Sequence, residues 1–229
     1  TYTNDTTSII NNSSNLTSTG NTTYGIYSAG EVNNSGTINF ETGIGNVGIY
    51  STNASQLASN TGTIIVGQTD EYTKRYAIGM AAGYNGQNGG SPFTGNIENK
   101  LGGTITVKGK KSIGMYGTQA GTTVTNSGTI NLGASSSDTT LRTGMFTKSD
   151  TILLNNTGTI NAKSNGSSGA KTYGIYNGSN NGIVKLNGNS NIIVGDEGVG
   201  VYSTSGNVQI DSGKIKVGNN NAVGVFIER

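Results

Sequence analysis

One short phrase occurs eight times along this chain: a residue, a glycine, an aliphatic residue and then, in most copies, an aromatic one. The copies are Tyr24-Gly25-Ile26-Tyr27, Val47-Gly48-Ile49-Tyr50, Ile78-Gly79-Met80-Ala81, Ile113-Gly114-Met115-Tyr116, Thr143-Gly144-Met145-Phe146, Tyr173-Gly174-Ile175-Tyr176, Val199-Gly200-Val201-Tyr202 and Val223-Gly224-Val225-Phe226. Their glycines stand 23, 31, 35, 30, 30, 26 and 24 residues apart. Self-similarity in this range predicts stacked supersecondary units, none of which can bury its apolar face alone. Stacks of that kind work through long surfaces rather than through one deep pocket.

A second phrase runs between the copies of the first: Gly36-Thr37-Ile38-Asn39-Phe40, Gly62-Thr63-Ile64-Ile65-Val66, Gly103-Thr104-Ile105-Thr106-Val107 and Gly128-Thr129-Ile130-Asn131-Leu132. It continues as Gly158-Thr159-Ile160-Asn161-Ala162, the degenerate Ser190-Asn191-Ile192-Ile193-Val194, and Gly213-Lys214-Ile215-Lys216-Val217. Successive strand side chains point to opposite faces, so the third and fifth positions share one face. That face is Ile with Phe, Val, Leu or Ala in every copy, and the other is mostly Thr, Asn or Lys. The alternation predicts a strand with one wet side and an inward apolar pair.

A weaker third strand precedes the second phrase. Val32, Val124, Leu154 and Leu186 each lie four residues before its glycine or the Ser190 equivalent, while Val208 and Ile210 break that register by one. The linkers just before the glycine are Asn34-Ser35, Asn60-Thr61, Asn126-Ser127, Asn156-Thr157 and Asp211-Ser212. Asn and Asp tolerate left-handed backbone and bond their own main chain, which makes them corner residues. At equivalent corners of stacked coils, their amides are placed to bond along the stack as a ladder, with Asp211 as a variant rung.

Three short strands per coil predict an all-β chain: a right-handed, single-stranded parallel β-helix of about 7–8 coils, one solenoid over residues 1–229. Propeller blades need about 40–45 residues, leucine-rich repeats need a leucine-dense consensus, and helical repeats need a 3.6 period that is absent here. Strands stacked about 4.8 Å apart would give a rod of roughly 35–40 Å. Hydrophobic residues are only 31% of the chain, yet charged residues are only 11% and the net charge is +2. Disorder pairs low hydrophobicity with high charge. Here 38 Gly and 31 Asn fill the gap, which suits a thin rod needing few inward aliphatics per coil.

The chain has no cysteine and no histidine, so disulfides, thiolate metal sites and imidazole chemistry are excluded. Lys108, Lys110 and Lys111 form the one tight basic cluster, read as a solvated loop. No basic stripe for nucleic acid emerges. Residues 1–10 lack the basic end and apolar stretch of a secretory signal, and no run approaches the ~18 apolar residues of a membrane span. The last residues, Phe226-Ile227-Glu228-Arg229, follow a core strand without a polar capping unit. Because solenoids need caps, the chain reads as a fragment of a longer array.

The G-I-Y and N-S/T-G-T-I-N phrases, in a Cys-free chain rich in Asn, Gly, Ser and Thr, resemble the passenger domains of large monomeric autotransporter adhesins. The closest likeness is to the fusobacterial outer-membrane adhesin type, over about residues 20–229. The resemblance implies a full protein with a signal peptide, a long right-handed β-helical passenger and a C-terminal β-barrel translocator. It implies a monomer at the cell surface, anchored through an outer-membrane barrel, with a host cell-surface protein or glycan or a partner bacterial surface as its target. No binding residue of the family maps onto a numbered position. Missing cysteines fit passage through an outer-membrane pore in an unfolded state.

No catalytic residue, metal ligand, cofactor site or cofactor is assigned. Ser–His–Asp and Cys–His catalysis are ruled out by the absent residue types. Two-carboxylate glycoside chemistry needs only paired Asp or Glu, and β-helical hydrolases and lyases gather theirs on neighbouring coils. Asp196, however, aligns with Thr42, Gln68, Gly109, Ala134, Ser164 and Asn219, so no acidic column forms. Asp70-Glu71 and Asp196-Glu197 are sequence neighbours read as loop charges. Calcium nonapeptides and phosphate loops are absent.

Two features remain as candidate binding elements. In the first phrase, the residues flanking the glycine are expected to face inward. The fourth position, Tyr27, Tyr50, Ala81, Tyr116, Phe146, Tyr176, Tyr202 and Phe226, then faces outward as a ring column, with the glycine an outward shelf beside each ring. Offset stacking of such rings contributes about 0.5–1.5 kcal/mol per pair. The column either stiffens a strand face or forms a contact stripe for protein or sugar. The second feature is a pair of insertions, about 67–75 and 82–100; the step from Gly79 to Gly103 takes 24 residues, against 11–16 elsewhere. It carries Tyr84, Phe93 and the sole proline, Pro92. Solenoid insertions map to loops that are either idle or part of a binding face. The expected function is non-enzymatic attachment or spacing; a β-helical polysaccharide-degrading enzyme and a purely structural stalk are the alternatives.

Overall fold

A computed structural model of the chain describes residues 1–86, 90–133, 141–148, 152–162, 172–204 and 206–228. Among them every regular element is a strand, and the strands form three parallel sheets that run along one axis. Each coil visits the sheets in turn. The first sheet holds the G-I-Y phrases, for example Tyr24–Ser28, Val47–Ser51, Ile113–Gly117 and Thr172–Asn177. The second holds the weaker strands, such as Glu31–Asn34, Thr123–Asn126 and Ile183–Leu186. The third holds the G-T-I phrases, such as Thr63–Gln68 and Thr129–Leu132. The expected β-solenoid of about eight turns is what the chain forms.

Its core is a single apolar column. Ile38, Ile64, Ile105, Ile130, Ile160 and Ile192 are sealed from solvent and lie in register in the third sheet. Phe40, Val66, Val107, Leu132, Ala162 and Val194 accompany them inside, as the alternation predicts. Val217, the last of this series, is 38% exposed because no further coil covers it. Burying each aliphatic side chain fully stabilises the fold by roughly 1.5–3 kcal/mol.

In the second sheet the inward column is Val32, Ala58, Ile97, Val124, Leu154, Val184 and Val208. Val208 therefore keeps register, and the irregularity sits one coil earlier: Val184, not Leu186, pairs with Leu154. Leu186 and Ile210 instead occupy the place that Asn156 holds.

The corner amides form the expected ladder, and it is longer than the linkers suggest. Nδ2 of Asn12 donates to Oδ1 of Asn34 at 2.7 Å, and Asn34 to Asn60 at 2.7 Å. Asn60 donates to Asn99, Asn99 to Asn126 and Asn126 to Asn156 at 2.9, 2.9 and 2.8 Å. Asn156 ends the run on Ser190 Oγ at 2.7 Å. All these bonds point the same way, so each polarises the next. Asp211 is not a rung; Ile210 stands in that register, and Asp211 is exposed beside Lys185 and Gln209.

A second set of buried polar residues ties the third sheet to the first, two positions before the glycine. Asn46 donates to Gly20 O, Ser112 to Gly67 O and Thr172 to Ala162 O. At the same place the guanidinium of Arg142, 2% exposed, donates to the carbonyls of Gly109 and Lys108. Hydrogen bonds of this kind satisfy turn carbonyls that would otherwise be buried without a donor.

Candidate outer binding face

The first sheet kinks at its glycine. Register pairs run Tyr24–Val47, Ile26–Ile49 and Tyr27–Tyr50, and the glycines drop out of the ladder. A Cβ added to Gly144 would lie 2.8 Å from Ile160 Cγ2 and 2.4 Å from the Gly174 carbonyl oxygen. The glycine thus faces the core, where two coils and the opposite sheet come too close for a side chain. It is not the outward shelf expected from strict alternation. Glycine and the following aliphatic both point inward, a bulge-like arrangement that throws the preceding residue outside.

The residue before the glycine is therefore also misassigned by alternation. Val47, Ile78 and Ile113 form a separate outer cluster with Ala81, and Tyr50, Tyr116 and Phe146 pack against it. Two columns, not one, run along the outside of the first sheet. Tyr24 and Tyr173 join the rings from the pre-glycine column: Tyr24 meets Tyr27 and Tyr50 edge-on at 5.8 and 5.9 Å, and Tyr173 meets Tyr176 and Tyr202 at 5.2 and 5.6 Å. Sequence reasoning missed both, although a tyrosine at a supposedly inward position was a visible signal.

The expected ring column exists, in two runs. Tyr2, Tyr27 and Tyr50 make the first, with centroids 5.4 and 5.2 Å apart. Tyr116, Phe146, Tyr176, Tyr202 and Phe226 make the second, at 5.6, 5.3, 4.6 and 5.4 Å. Ala81 interrupts them and is buried. Most of these rings are half-buried, and Phe226 is 45% exposed.

The larger insertion belongs to the same face. Tyr84 and Phe93 form an antiparallel bridge, with backbone bonds of 2.7 and 2.9 Å, and their rings are 5.4 Å apart. Phe93 meets Tyr50 edge-on at 6.2 Å, and the Tyr50 hydroxyl donates to Gly83 O at 2.7 Å. Residues 87–89 of this loop lie outside the described set. Burial pushes the Tyr50 and Tyr116 phenols above their ordinary value. The smaller insertion closes on itself through reciprocal Asp70–Arg75 backbone bonds. It presents Tyr72, 95% exposed, and places Glu71 2.6 Å from Lys111 Nζ.

Beside the second ring run lies a groove of about 560 Å³. Ile78, Ile113 and Thr143 of the pre-glycine column form its floor, and Tyr116, Phe146, Tyr173, Tyr176, Tyr76, Leu141, Lys111 and Lys148 complete its lining. No described carboxylate lines it. Several described acidic residues elsewhere serve turns and ion pairs. Asp196 accepts from Asn220 Nδ2 and from the Asn219 and Asn220 amides, which hold its carboxyl below the usual range. Bonds from Thr73 do the same for Asp70, and Glu41 pairs with Lys108. A register shift sets Ile44, not Thr42, opposite Gln68, while Ala134 and Ser164 lie outside the described residues. Among the described residues no group of three or more Asp or Glu is arranged to hold a metal, and no helix is long and apolar enough to cross a membrane.

No curated protein and no solved structure matches the chain. A family model does match: the BigA third pectate lyase-like domain, over residues 40–158, just over half of the chain. That stretch contains four consecutive first-sheet strands, both insertions, and the floor of the groove. It supports a β-helical domain of the passenger or adhesin type. By its sequence over that stretch, the chain belongs to the family of the BigA third pectate lyase-like domain.

Proposed function

We propose that the chain is a non-enzymatic segment of a cell-surface adhesin, which attaches to host cells or other bacteria or holds such a site away from the membrane. The observation that carries this reading is the apolar outer face of the first sheet, where two ring runs, an aliphatic strip and an insertion loop form one surface. Large apolar patches on a soluble surface mark contact sites. A monomeric passenger of the fusobacterial adhesin type, anchored through an outer-membrane barrel, accounts for this composition, and the family match supports its coarser form. The engagement of Asp196 in a turn and of Glu41 in an ion pair, and the lack of His and Cys, support the non-enzymatic part. The partner is a host surface protein or glycan, or a bacterial surface.

Attachment of the purified chain to epithelial and bacterial cells tests this reading. Tyr116→Ala with Tyr176→Ala should abolish attachment, a loss far beyond the accompanying fall in stability, while the melt stays cooperative. Replacing residues 84–96 with a Gly/Ser linker should weaken attachment with β-structure retained; unchanged attachment would make that loop idle. The family's lyase-like name favours one second reading, a polysaccharide-degrading enzyme. Release of reducing ends from pectate or another glycan would establish it in place of adhesion.

A further inference from the structure

The groove beside Tyr116, Phe146 and Tyr176 has a chemistry more specific than general stickiness. Phe146 lies between Tyr116 and Tyr176, with centroids at 5.6 and 5.3 Å and interplanar angles of 22° and 42°. Phe146 and Tyr176, each flanked by rings on both sides, thus offer the groove their edges. Edges carry the positive end of the aromatic quadrupole. The floor of Ile78 and Ile113 is aliphatic, and the charged groups of the lining are the ammoniums of Lys111 and Lys148. A sugar would meet few acceptors for its hydroxyls and, at Phe146 and Tyr176, no open ring face to lie against. An extended peptide with apolar side chains and carboxylates meets a matching partner at each point, as strand-like peptides do in grooves with alternate pockets.

Lys111 is engaged in this state: its ammonium lies 2.6 Å from Glu71, and the two side chains are 41% and 49% exposed. An ion pair this exposed is weak, so an incoming carboxylate can take the place of Glu71. Glu71 sits on the small insertion closed by the Asp70–Arg75 bridge, which makes it a tethered internal competitor. We infer that this groove binds an extended acidic peptide segment of a partner protein, with apolar side chains on the Ile78–Ile113 floor and carboxylates on Lys111 and Lys148. Glu71 occupies the Lys111 position until that segment arrives. This inference rests on the adhesive reading of the same face and names the class of its partner.

The test uses the whole chain and a short fluorescent peptide in which Asp alternates with Leu and Phe. Its Lys-for-Asp counterpart and polygalacturonate, a carboxylated glycan, serve as the other probes. Anisotropy should show saturable binding of the Asp peptide and none of the Lys peptide. K148E should weaken the Asp peptide by about tenfold or more, the scale of one charge-assisted hydrogen bond. E71Q should tighten it severalfold by freeing Lys111. Neither position is in the core, so melting should not change with either. Equal binding of both peptides, indifference to K148E and E71Q, or binding of polygalacturonate alone would overturn the inference. Cell attachment is measured on the same variants. Attachment that needs Tyr116 and Tyr176 but ignores Lys148 and Glu71 would sink the peptide groove and leave adhesion standing; no attachment by the parent chain would sink adhesion itself.

Discussion

Met115 and Tyr116 are neighbours on one strand. Met115 is sealed inside the core that runs the length of the stack; Tyr116 belongs to a small outer cluster and lines a groove. The same contrast repeats in other coils: Ile49 and Tyr50, Met145 and Phe146, Ile175 and Tyr176. Both columns are apolar and regular, yet the inner one stabilises the coil and the outer one is left in reach of a partner. An apolar repeat in a solenoid therefore has to be assigned to a face before it is assigned a role.

The sharpest way to break the comparison is through the core. Ile130→Ala removes a side chain with no solvent exposure and should cost about 2–5 kcal/mol, read by denaturant or thermal melting. Next comes the amide ladder. Asn126→Leu leaves the Asn156 acceptor without its 2.8 Å donor and removes the acceptor of Asn99, so it should cost about 1–3 kcal/mol. Leu186 is tolerated in the equivalent place only because Asn156 has turned to Ser190.

The kink supplies a paired test. A Cβ on Gly114 would fall 2.6 Å from Gly144 O and 2.7 Å from Ile130 Cγ2, whereas on Gly224 its nearest neighbour is at 4.0 Å. Gly114→Ala should therefore destabilise by about 1–3 kcal/mol through overpacking, while Gly224→Ala should stay within about 0.5 kcal/mol. Equal effects would mean that the glycine does not face the core.

A smaller effect is expected from pH. Burial raises the Tyr50 phenol above 10.0 in the fold, and the neutral form donates to Gly83. A raised folded-state value gives stability that is complete below the unfolded value and is lost as pH rises through the folded one. Melting temperature should therefore fall above about pH 10, and Tyr50→Phe should flatten part of that fall. Tyr176→Ala removes three ring contacts, to Phe146, Tyr173 and Tyr202, at about 0.5–1.5 kcal/mol per pair, and should have the largest effect on attachment.

Much of this architecture was readable because the G-T-I phrase alternates strictly: Ile38, Ile64 and Ile130 are inside, and their Thr and Asn neighbours are outside. The Asn corners followed from the same spacing. Asn99 escaped because Lys100-Leu101-Gly102 displaces it from its glycine, and Leu186 was misplaced because the turn to Ser190 is longer than its neighbours'. The outer face was half legible. The fourth-position rings were visible, but alternation sent Ile78, Ile113 and Tyr173 to the wrong side, since a glycine free of Cβ lets the chain bend where any other residue would continue the pleat. Arg142 carries no periodic signal in the sequence, and it is a buried clamp. Contacts between distant loops, such as Phe93 on Tyr50 or Glu71 on Lys111, leave no period to read.

Attachment and melting measured together on the Tyr116→Ala, Tyr176→Ala double variant test the division of labour between the two columns most directly. The outer column as a binding face predicts lost attachment with a cooperative melt retained. Full attachment by a variant whose melt has dropped would contradict it, and would make the rings part of the scaffold.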